Sequence, residues 1–229
     1  LTKLKKWWPA DVHLVGKDIL RHHAVYWVIL LKALGLEPPR MIFAHGWWLT
    51  GDTKMSKSLG NVVNPLDVVE QYGVDAVRYF LMKEMMLGQD ANFTMELFIK
   101  RYNSDLANDF GNLLNRVSGL LGKYFAGCIP SEGQATPKEL EIREKVLLVS
   151  RSIPGLIDAF KVNEAIEETI NLIRMMNKYL ESEAPWTVAK TDLNRAGTIL
   201  YTAAEVLRIS SLLLSPVMPS KTKTVLDIL

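Results

Sequence analysis

Apolar positions along the first fifty residues change period twice. Val12-His13-Leu14-Val15 is a short strand-like run, and Lys17 to Leu34 follows it with Ile19, His23, Tyr26-Trp27, Leu30-Leu31 and Leu34 at helical intervals. Gly35 suits a helix C-cap and Pro38 a stop. Arg40 to Ala44 reads as a second strand. Strand, helix and strand make a βαβ unit, whose usual home is a parallel sheet. Further along, Asn64 is a good N-cap, Pro65 suits a first helical position, and Asp67 favours the positive end of the helix dipole. Gly73 ends that helix, and Asp75 begins another that is expected to run to about Leu87.

From Thr94 onward the pattern is almost purely helical. Thr94 is placed to cap a long helix whose apolar stripe is Phe98, Tyr102, Leu106, Phe110, Leu113, Val117, Leu121 and Tyr124, in steps of three and four. Gly127, Pro130 and Gly133 mark a loop, and Thr136-Pro137-Lys138-Glu139 is a capping box with proline in the first turn. Further helices fit residues 137–160, 163–183 and 193–214, with a short one after Pro219. The fold class is therefore α/β plus all-α, and long helices with short connections predict an antiparallel helical bundle. Texture divides the chain into residues 1–50, 51–93 and 94–229.

Composition narrows this only a little. At 229 residues, 48% hydrophobic and 23% charged, the chain is long enough for one large or two small cores and reads as soluble and globular. A net charge of +2 does not advertise nucleic-acid binding, although a local basic patch would suffice for it. With Cys128 alone, an internal disulfide and a cysteine-rich zinc site are both excluded, which fits a reducing compartment. The apolar run Val25 to Leu34 is broken by Lys32 and too short to span a bilayer. The chain opens on Leu1 rather than Met, and a piece of a larger protein is expected.

The densest chemistry is Lys54-Met55-Ser56-Lys57-Ser58-Leu59-Gly60-Asn61. When a carboxylate attacks the α-phosphorus of ATP, negative charge grows on the departing pyrophosphate. Two lysines on a loop meet that charge as point cations. Gly51 before and Gly60 after permit the loop to close, position the phosphates and exclude water. An arbitrary pair of lysines so spaced would be only an exposed basic loop. Here the pentapeptide matches the signature of class I aminoacyl-tRNA synthetases letter for letter, with the lead-in His45-Gly46-Trp47-Trp48. It is not a P-loop, which needs G-x-x-x-x-G-K-[ST].

The resemblance extends to the rest of the chain. Trp8-Pro9-Ala10-Asp11-Val12-His13 and Val15-Gly16-Lys17-Asp18-Ile19 are similar to the strand and helix that precede this loop in methionyl-tRNA synthetases, and so is Gly73-Val74-Asp75-Ala76-Val77-Arg78-Tyr79-Phe80 after it. Asn103 to Arg116 and Glu183-Ala184-Pro185-Trp186 resemble that family's anticodon-reading elements. The resemblance implies the C-terminal portion of such an enzyme. Residues 1–50 would be the second half of a Rossmann-type catalytic core. Residues 51–93 would carry the lysine loop and a stem-contact region, and residues 94–229 an α-helical anticodon-binding domain. The family's first half, with its His-x-Gly-His motif and zinc-bearing insertion, has no counterpart in this sequence, and neither His22-His23 nor His45-Gly46 replaces it. The chain alone is expected to be inactive and to need an N-terminal catalytic half on the same or another chain.

Carried over by position, the resemblance assigns Lys57 to the ATP phosphates with Lys54 in support, and Gly46 and Trp48 to the adenine side. It assigns Asp18, Ile19 and His23 to a methionine pocket. Ile19 and His23 stand at i and i+4, and a thioether asks for an apolar wall with at most a weak polar contact. Taken alone, His23 would be an ordinary buried or surface histidine. Val28 departs from the many relatives with proline there. Asn112 and Arg116, again at i and i+4, would read the anticodon with Pro185 and Trp186, the indole serving as a platform for an unstacked base. Outside the resemblance, they would be helix-surface polar residues and a bundle-capping tryptophan. ATP with Mg²⁺ is expected as substrate, with no metal site in the chain, because the four histidines lack Cys partners and H-x-x-x-H spacing. The implied partners are methionine, ATP and the tRNA for methionine, with no membrane, in the cytoplasm or an organellar matrix. The rival readings are another class I synthetase and a non-catalytic tRNA-binding module.

Overall fold

The computed structural model describes residues 2–51, 53–55 and 63–229. They form two compact units, Leu1–Val63 with Glu84–Thr94, and Asn64–Lys83 with Met95–Leu229. This division cuts across the expected segment 51–93, most of whose helical part belongs to the second unit.

The first unit holds α1 (Thr2–Trp7), β1 (Val12–Gly16), α2 (Trp27–Ala33), β2 (Met41–His45), β3 (Trp48–Thr50), β4 (Thr53–Lys54) and β5 (Ala91–Asn92). β1 and β2 run parallel, with Val12 opposite Met41 and Gly16 opposite His45, so the expected βαβ unit is present. Its crossover is less regular than the pattern predicts. Lys17–Ile19 is a 3₁₀ turn, His22–Tyr26 is wound as a π-helix, and only Trp27–Ala33 is an uninterrupted α-helix. Gly35, at φ +68°, closes it in a Schellman arrangement. The Leu36 N–H donates to the Leu31 carbonyl at 2.9 Å and the Gly35 N–H to that of Lys32 at 3.1 Å. The second sheet was not expected. β3 lies between β4, antiparallel, and β5, parallel, and strands of two or three residues are too short to show a period of two. Val12, Leu14, Ile29, Leu30, Leu34 and Met41 are exposed in this unit, although parallel sheets are ordinarily covered on both faces.

The second unit is helical: α3 (Pro65–Tyr72), α4 (Val74–Glu84, its last residue counted with the first unit), α5 (Met95–Arg101), α6 (Asn112–Phe125), α7 (Pro137–Asp158), α8 (Val162–Glu183), α9 (Pro185–Val188), α10 (Leu193–Leu214) and α11 (Pro219–Ile228). Between α5 and α6, Tyr102–Gly111 is π-helical. The Asn64 side chain caps α3 by accepting the Leu66 N–H at 3.1 Å. At the start of α7 the Thr136 N–H donates to the Glu139 carboxylate at 2.7 Å, completing the capping box.

Leu113 and Val117 of α6, Val146 of α7, Ile170, Ile173 and Leu180 of α8, and Ile199, Ala203 and Leu207 of α10 share one core. Each valine, leucine and isoleucine among them contributes roughly 1.5–3 kcal/mol by leaving water. By length and composition α10 is apolar enough to cross a membrane, which the sequence reading overlooked, but its apolar face is buried against α6, α7, α8 and α11. Asp75 and Arg78 of α4 hold the turn between α10 and α11. The Asp75 carboxylate accepts the Lys221 N–H at 2.6 Å, capping α11 from another helix. Arg78 donates to the carbonyls of Val217 at 2.9 Å and Pro216 at 2.8 Å.

Candidate functional site

Lys54 ends β4, the second strand of a hairpin with β3. The Lys54 side chain is not described, and Lys57 lies outside the described residues. What is visible is the support of this hairpin. Gly46, two residues before β3, is buried, and a Cβ there would fall 2.0 Å from the Gln89 carbonyl oxygen and 2.6 Å from the Asp90 nitrogen. Glycine at 46 is thus required by the chain's own backbone, whatever else approaches on the open side. Asp90 accepts the Trp47 N–H at 2.8 Å and binds the Lys17 ammonium with both oxygens, at 2.6 and 2.7 Å. Those bonds, Lys17's first, hold the Asp90 carboxyl below the usual carboxylate range. Lys17 also lies 4.0 Å from the centroid of the Trp47 ring. Trp48, half-buried in β3, meets Phe93 edge-on at 6.1 Å, so its side chain is packing.

An open groove of about 630 Å³ runs between β1 and the crossover, lined by His13, His22, His23, Tyr26 and Trp27 among others. Of the three residues expected in an amino-acid pocket, only His23 is on its wall. Asp18 and Ile19 are exposed on the 3₁₀ turn that leads into it. The regular helix expected to carry Ile19 and His23 is replaced by a 3₁₀ turn that passes through Leu20 and Arg21 into a π-helix, and the two residues are linked by a hydrogen bond. His23 Nδ1 is 3.0 Å from the Ile19 carbonyl oxygen. That acceptor fixes the proton on Nδ1 and leaves Nε2 as the free acceptor. His13 meets His23 edge-on at 6.2 Å, and Trp27 meets Trp8 at 6.1 Å. His13 Nδ1 and Trp27 Nε1 are buried with no hydrogen-bond partner among the described residues. The sequence reading did not single out His13 or Trp27.

In the second unit, Asn112, Arg116 and Trp186 come together. The Arg116 guanidinium stands 5.4 Å from the centroid of the Trp186 ring. Arg116 donates to the Asn177 carbonyl and the Asn112 amide to the Asn177 side-chain oxygen, both at 3.4 Å. Asn177 is itself held by donating to the Asp109 carbonyl at 2.9 Å. Asn177 carries no sequence signal, being one polar residue of α8 between Met176 and Lys178. Ala184, left-handed at φ 42°, turns the chain from α8 into α9. Pro185 then fills the first position of α9 and is buried, so its side chain offers no surface. Trp186, at the corner, is half-buried rather than fully presented.

A charged cluster holds the π-helical stretch on α8. Buried Asp105 accepts from the Tyr79 hydroxyl at 2.8 Å, Ser104 at 2.7 Å and Arg174 at 3.0 Å. Arg174 also donates to Asp109 at 2.7 Å and Glu167 at 2.8 Å. Burial first, then the Asp105 charge, pushes the Tyr79 hydroxyl far above its ordinary value, so it stays a donor. Asp109 therefore fixes both Arg174, through its carboxylate, and Asn177, through its carbonyl. Among the described residues no group of three or more histidine, cysteine, aspartate or glutamate side chains is arranged to hold a metal ion.

Known proteins align with both units. Residues 2–118 match the family model described as tRNA synthetases class I (M), and residues 129–229 match that of the anticodon binding domain of methionyl tRNA ligase. The methionine–tRNA ligase of Clostridium perfringens is 48% identical over 214 residues, 93% of this chain and 33% of the relative. That of Clostridium tetani is 45% identical over 224 residues, 97% of this chain and 35% of the relative. A structure of Mycobacterium tuberculosis methionyl-tRNA synthetase in complex with methionyl-adenylate superposes with a TM-score of 0.94 at 40% identity, covering 97% of this chain and 45% of that one. The chain thus spans about a third of the length of the curated relatives it matches. With the first of these family models covering more than half of its residues, the chain belongs to the class I tRNA synthetases of the methionyl type.

Proposed function

We propose that this chain is the C-terminal portion of a methionine–tRNA ligase, which forms methionyl-adenylate from methionine and ATP and transfers methionine to its tRNA. The observation that carries the reading is the independent match of its two parts to the methionyl-type synthetase family and to the methionyl anticodon-binding domain. The lysine loop supports it further, because a pure tRNA binder has no use for two triphosphate-directed lysines. In this reading the first unit is the second half of a Rossmann-type core, α3 and α4 are the stem-contact helices, and the long helices of the second unit form an antiparallel bundle.

The chemistry needs no protein nucleophile. The methionine carboxylate attacks the α-phosphorus, and pyrophosphate leaves with its charge met by Lys57 and Lys54. Mg²⁺ enters with ATP as its counter-ion. Gly46 and Trp48 present main chain to the adenine, and Asp18, Ile19 and His23 face methionine. His23 offers Nε2 as a weak acceptor, and Trp27 supplies apolar wall. Asn112, Arg116 and Trp186 receive the anticodon, with Pro185 setting the indole. The exposed apolar residues of β1, α2 and β2 support the need for an N-terminal catalytic half, which would cover them. A cytoplasmic setting fits such an enzyme.

Methionine-dependent ATP–pyrophosphate exchange tests this, with the chain alone and joined to its N-terminal half. Exchange only in the joined protein, reduced on the order of 10²–10³ by Lys57→Ala, is expected. Exchange with a different aliphatic amino acid would move the chain to another class I synthetase. Tight tRNA binding with no exchange at all would leave the binding module.

A further inference from the structure

Asp90 lies between α4 and α5, far in sequence from every residue of the proposed adenylate site, yet it touches both sides of it. On one side its two oxygens hold the Lys17 ammonium at 2.6 and 2.7 Å. Lys17 opens the 3₁₀ turn Lys17–Ile19, which carries Asp18 and Ile19 and whose last carbonyl orients His23. On the other side Asp90 Oδ1 accepts the Trp47 N–H at 2.8 Å, between Gly46 and Trp48.

The contact is built rather than incidental. Gly46 has no room for a Cβ because the Gln89–Asp90 peptide occupies the space. Ladder hydrogen bonds continue from the same point, the Ala91 N–H to the Trp47 carbonyl at 2.9 Å and the Phe93 N–H to the Leu49 carbonyl at 2.8 Å. Lys17 closes the triangle by resting 4.0 Å from the Trp47 ring centroid, a cation–π contact. An ammonium, a carboxylate and a backbone N–H so arranged restrain the two segments just beyond the point where the β1–β2 ladder pairs Gly16 with His45. The β3–β4 hairpin that carries Lys54 begins directly after Trp47.

We propose that Asp90 is a positioning residue that ties the amino-acid side of the site, through Lys17, to the nucleotide side, through Trp47, beyond the end of the β1–β2 ladder. The proposal rests on the synthetase reading above. Asp90 touches neither methionine nor ATP and acts through the segments it holds. A misplacement of about 1 Å in such a site costs on the order of a hundredfold in rate.

Two substitutions separate the two arms. Asp90→Ala removes both. Asp90→Asn keeps Oδ1 for the Trp47 N–H but removes the charge and puts an amide nitrogen where Oδ2 met Lys17, so it weakens only the lysine arm. In the full-length protein, measured by ATP–pyrophosphate exchange, Asp90→Ala is expected to raise KM for both methionine and ATP by about tenfold or more. Asp90→Asn and Lys17→Met are expected to raise KM for methionine while leaving KM for ATP within about twofold. Asp90→Asn is near-isosteric and carries the decision should Asp90→Ala fail to fold. Unchanged constants in folded Asp90→Ala overturn the proposal, as does an Asp90→Asn protein in which both constants move together. If the unsubstituted protein shows no methionine-dependent exchange, the functional reading falls and the proposal with it. Exchange that Lys57→Ala reduces on the order of 10²–10³ keeps that reading intact whatever the Asp90 variants do.

Discussion

The Arg116 guanidinium is held 5.4 Å from the centroid of the Trp186 ring, joining α6 to the corner between α8 and α9. The contact leaves Arg116 with one ring face to rest on and a backbone carbonyl, that of Asn177, to steer it. It presents a planar cation beside an aromatic edge, a combination suited to an unstacked nucleobase and its phosphate.

Trp186→Ala removes the stacking surface and frees Arg116. Base–aromatic stacking contributes about 1–3 kcal/mol, so KM for the tRNA in aminoacylation should rise about ten- to a hundredfold. Asn177→Ala should raise the same KM by less, because it loosens Asn112 and Arg116 without removing either. A filter-binding or aminoacylation titration against tRNA concentration checks both.

Gly46→Ala places a methyl group against the Gln89–Asp90 backbone, which is not the far end of a flexible side chain and cannot swing away. Overpacking of this kind costs about 1–3 kcal/mol and displaces the turn. The expected result is a lower unfolding midpoint in denaturant together with a raised KM for ATP.

Asp75→Ala removes the carboxylate that caps α11 from α4, where the Lys221 N–H loses its acceptor. Loss of a helix cap costs about 0.5–2 kcal/mol. Amide exchange at residues 220–222 should accelerate. Arg78→Ala should loosen the same turn through the Pro216 and Val217 carbonyls, and the double variant should be less than additive because both act on one segment.

Glu139 gives the second unit a defined acid sensitivity. Burial raises its pKa, but hydrogen bonds from Arg195, Thr136 and Tyr179 outweigh burial and bring the carboxyl from 4.5 to about 2. A folded-state pKa below the unfolded value means that the stabilisation is complete above about pH 4.5 and is lost as pH falls through about 2. The gap corresponds to on the order of 3 kcal/mol. Glu139→Gln should therefore be markedly less stable than the unsubstituted protein near about pH 6, with the difference closing towards about pH 2 in denaturant titrations.

Local rules carried much of the architecture. Long helices show their apolar stripes and caps in order along the chain, so α7, α8 and α10 begin and end within two residues of where period, proline and capping box place them, and a short helix follows at Pro219. The βαβ unit was legible for the same reason. The strands of the second sheet were not, because two or three residues carry no period and the pairing of β3 with β5 joins segments about forty residues apart. The winding of the crossover was hidden too, since Ile19 and His23 at i and i+4 read as a face-sharing pair on any regular helix.

What the sequence determined by itself was the family's motifs: a lysine loop with its flanking residues and a helical region with an Asn-x-x-x-Arg pair and an Ala-Pro-Trp corner. Motifs are sets of residue types in order, and type is written in the sequence. What the tertiary structure decided was which ordinary residues hold them. Asp90, Asn177 and Asp109 are polar residues of no distinctive spacing, and each acquires a role only because folding brings its donors and acceptors within 3.4 Å of partners remote in the chain. Gly46 marks the boundary: the motif names it, but the reason it lacks a Cβ is the Gln89 carbonyl, forty-three residues later, at 2.0 Å from where that atom would be. Hydrogen bonds and steric exclusion act over a few ångströms of space, and distance along the chain does not measure that space.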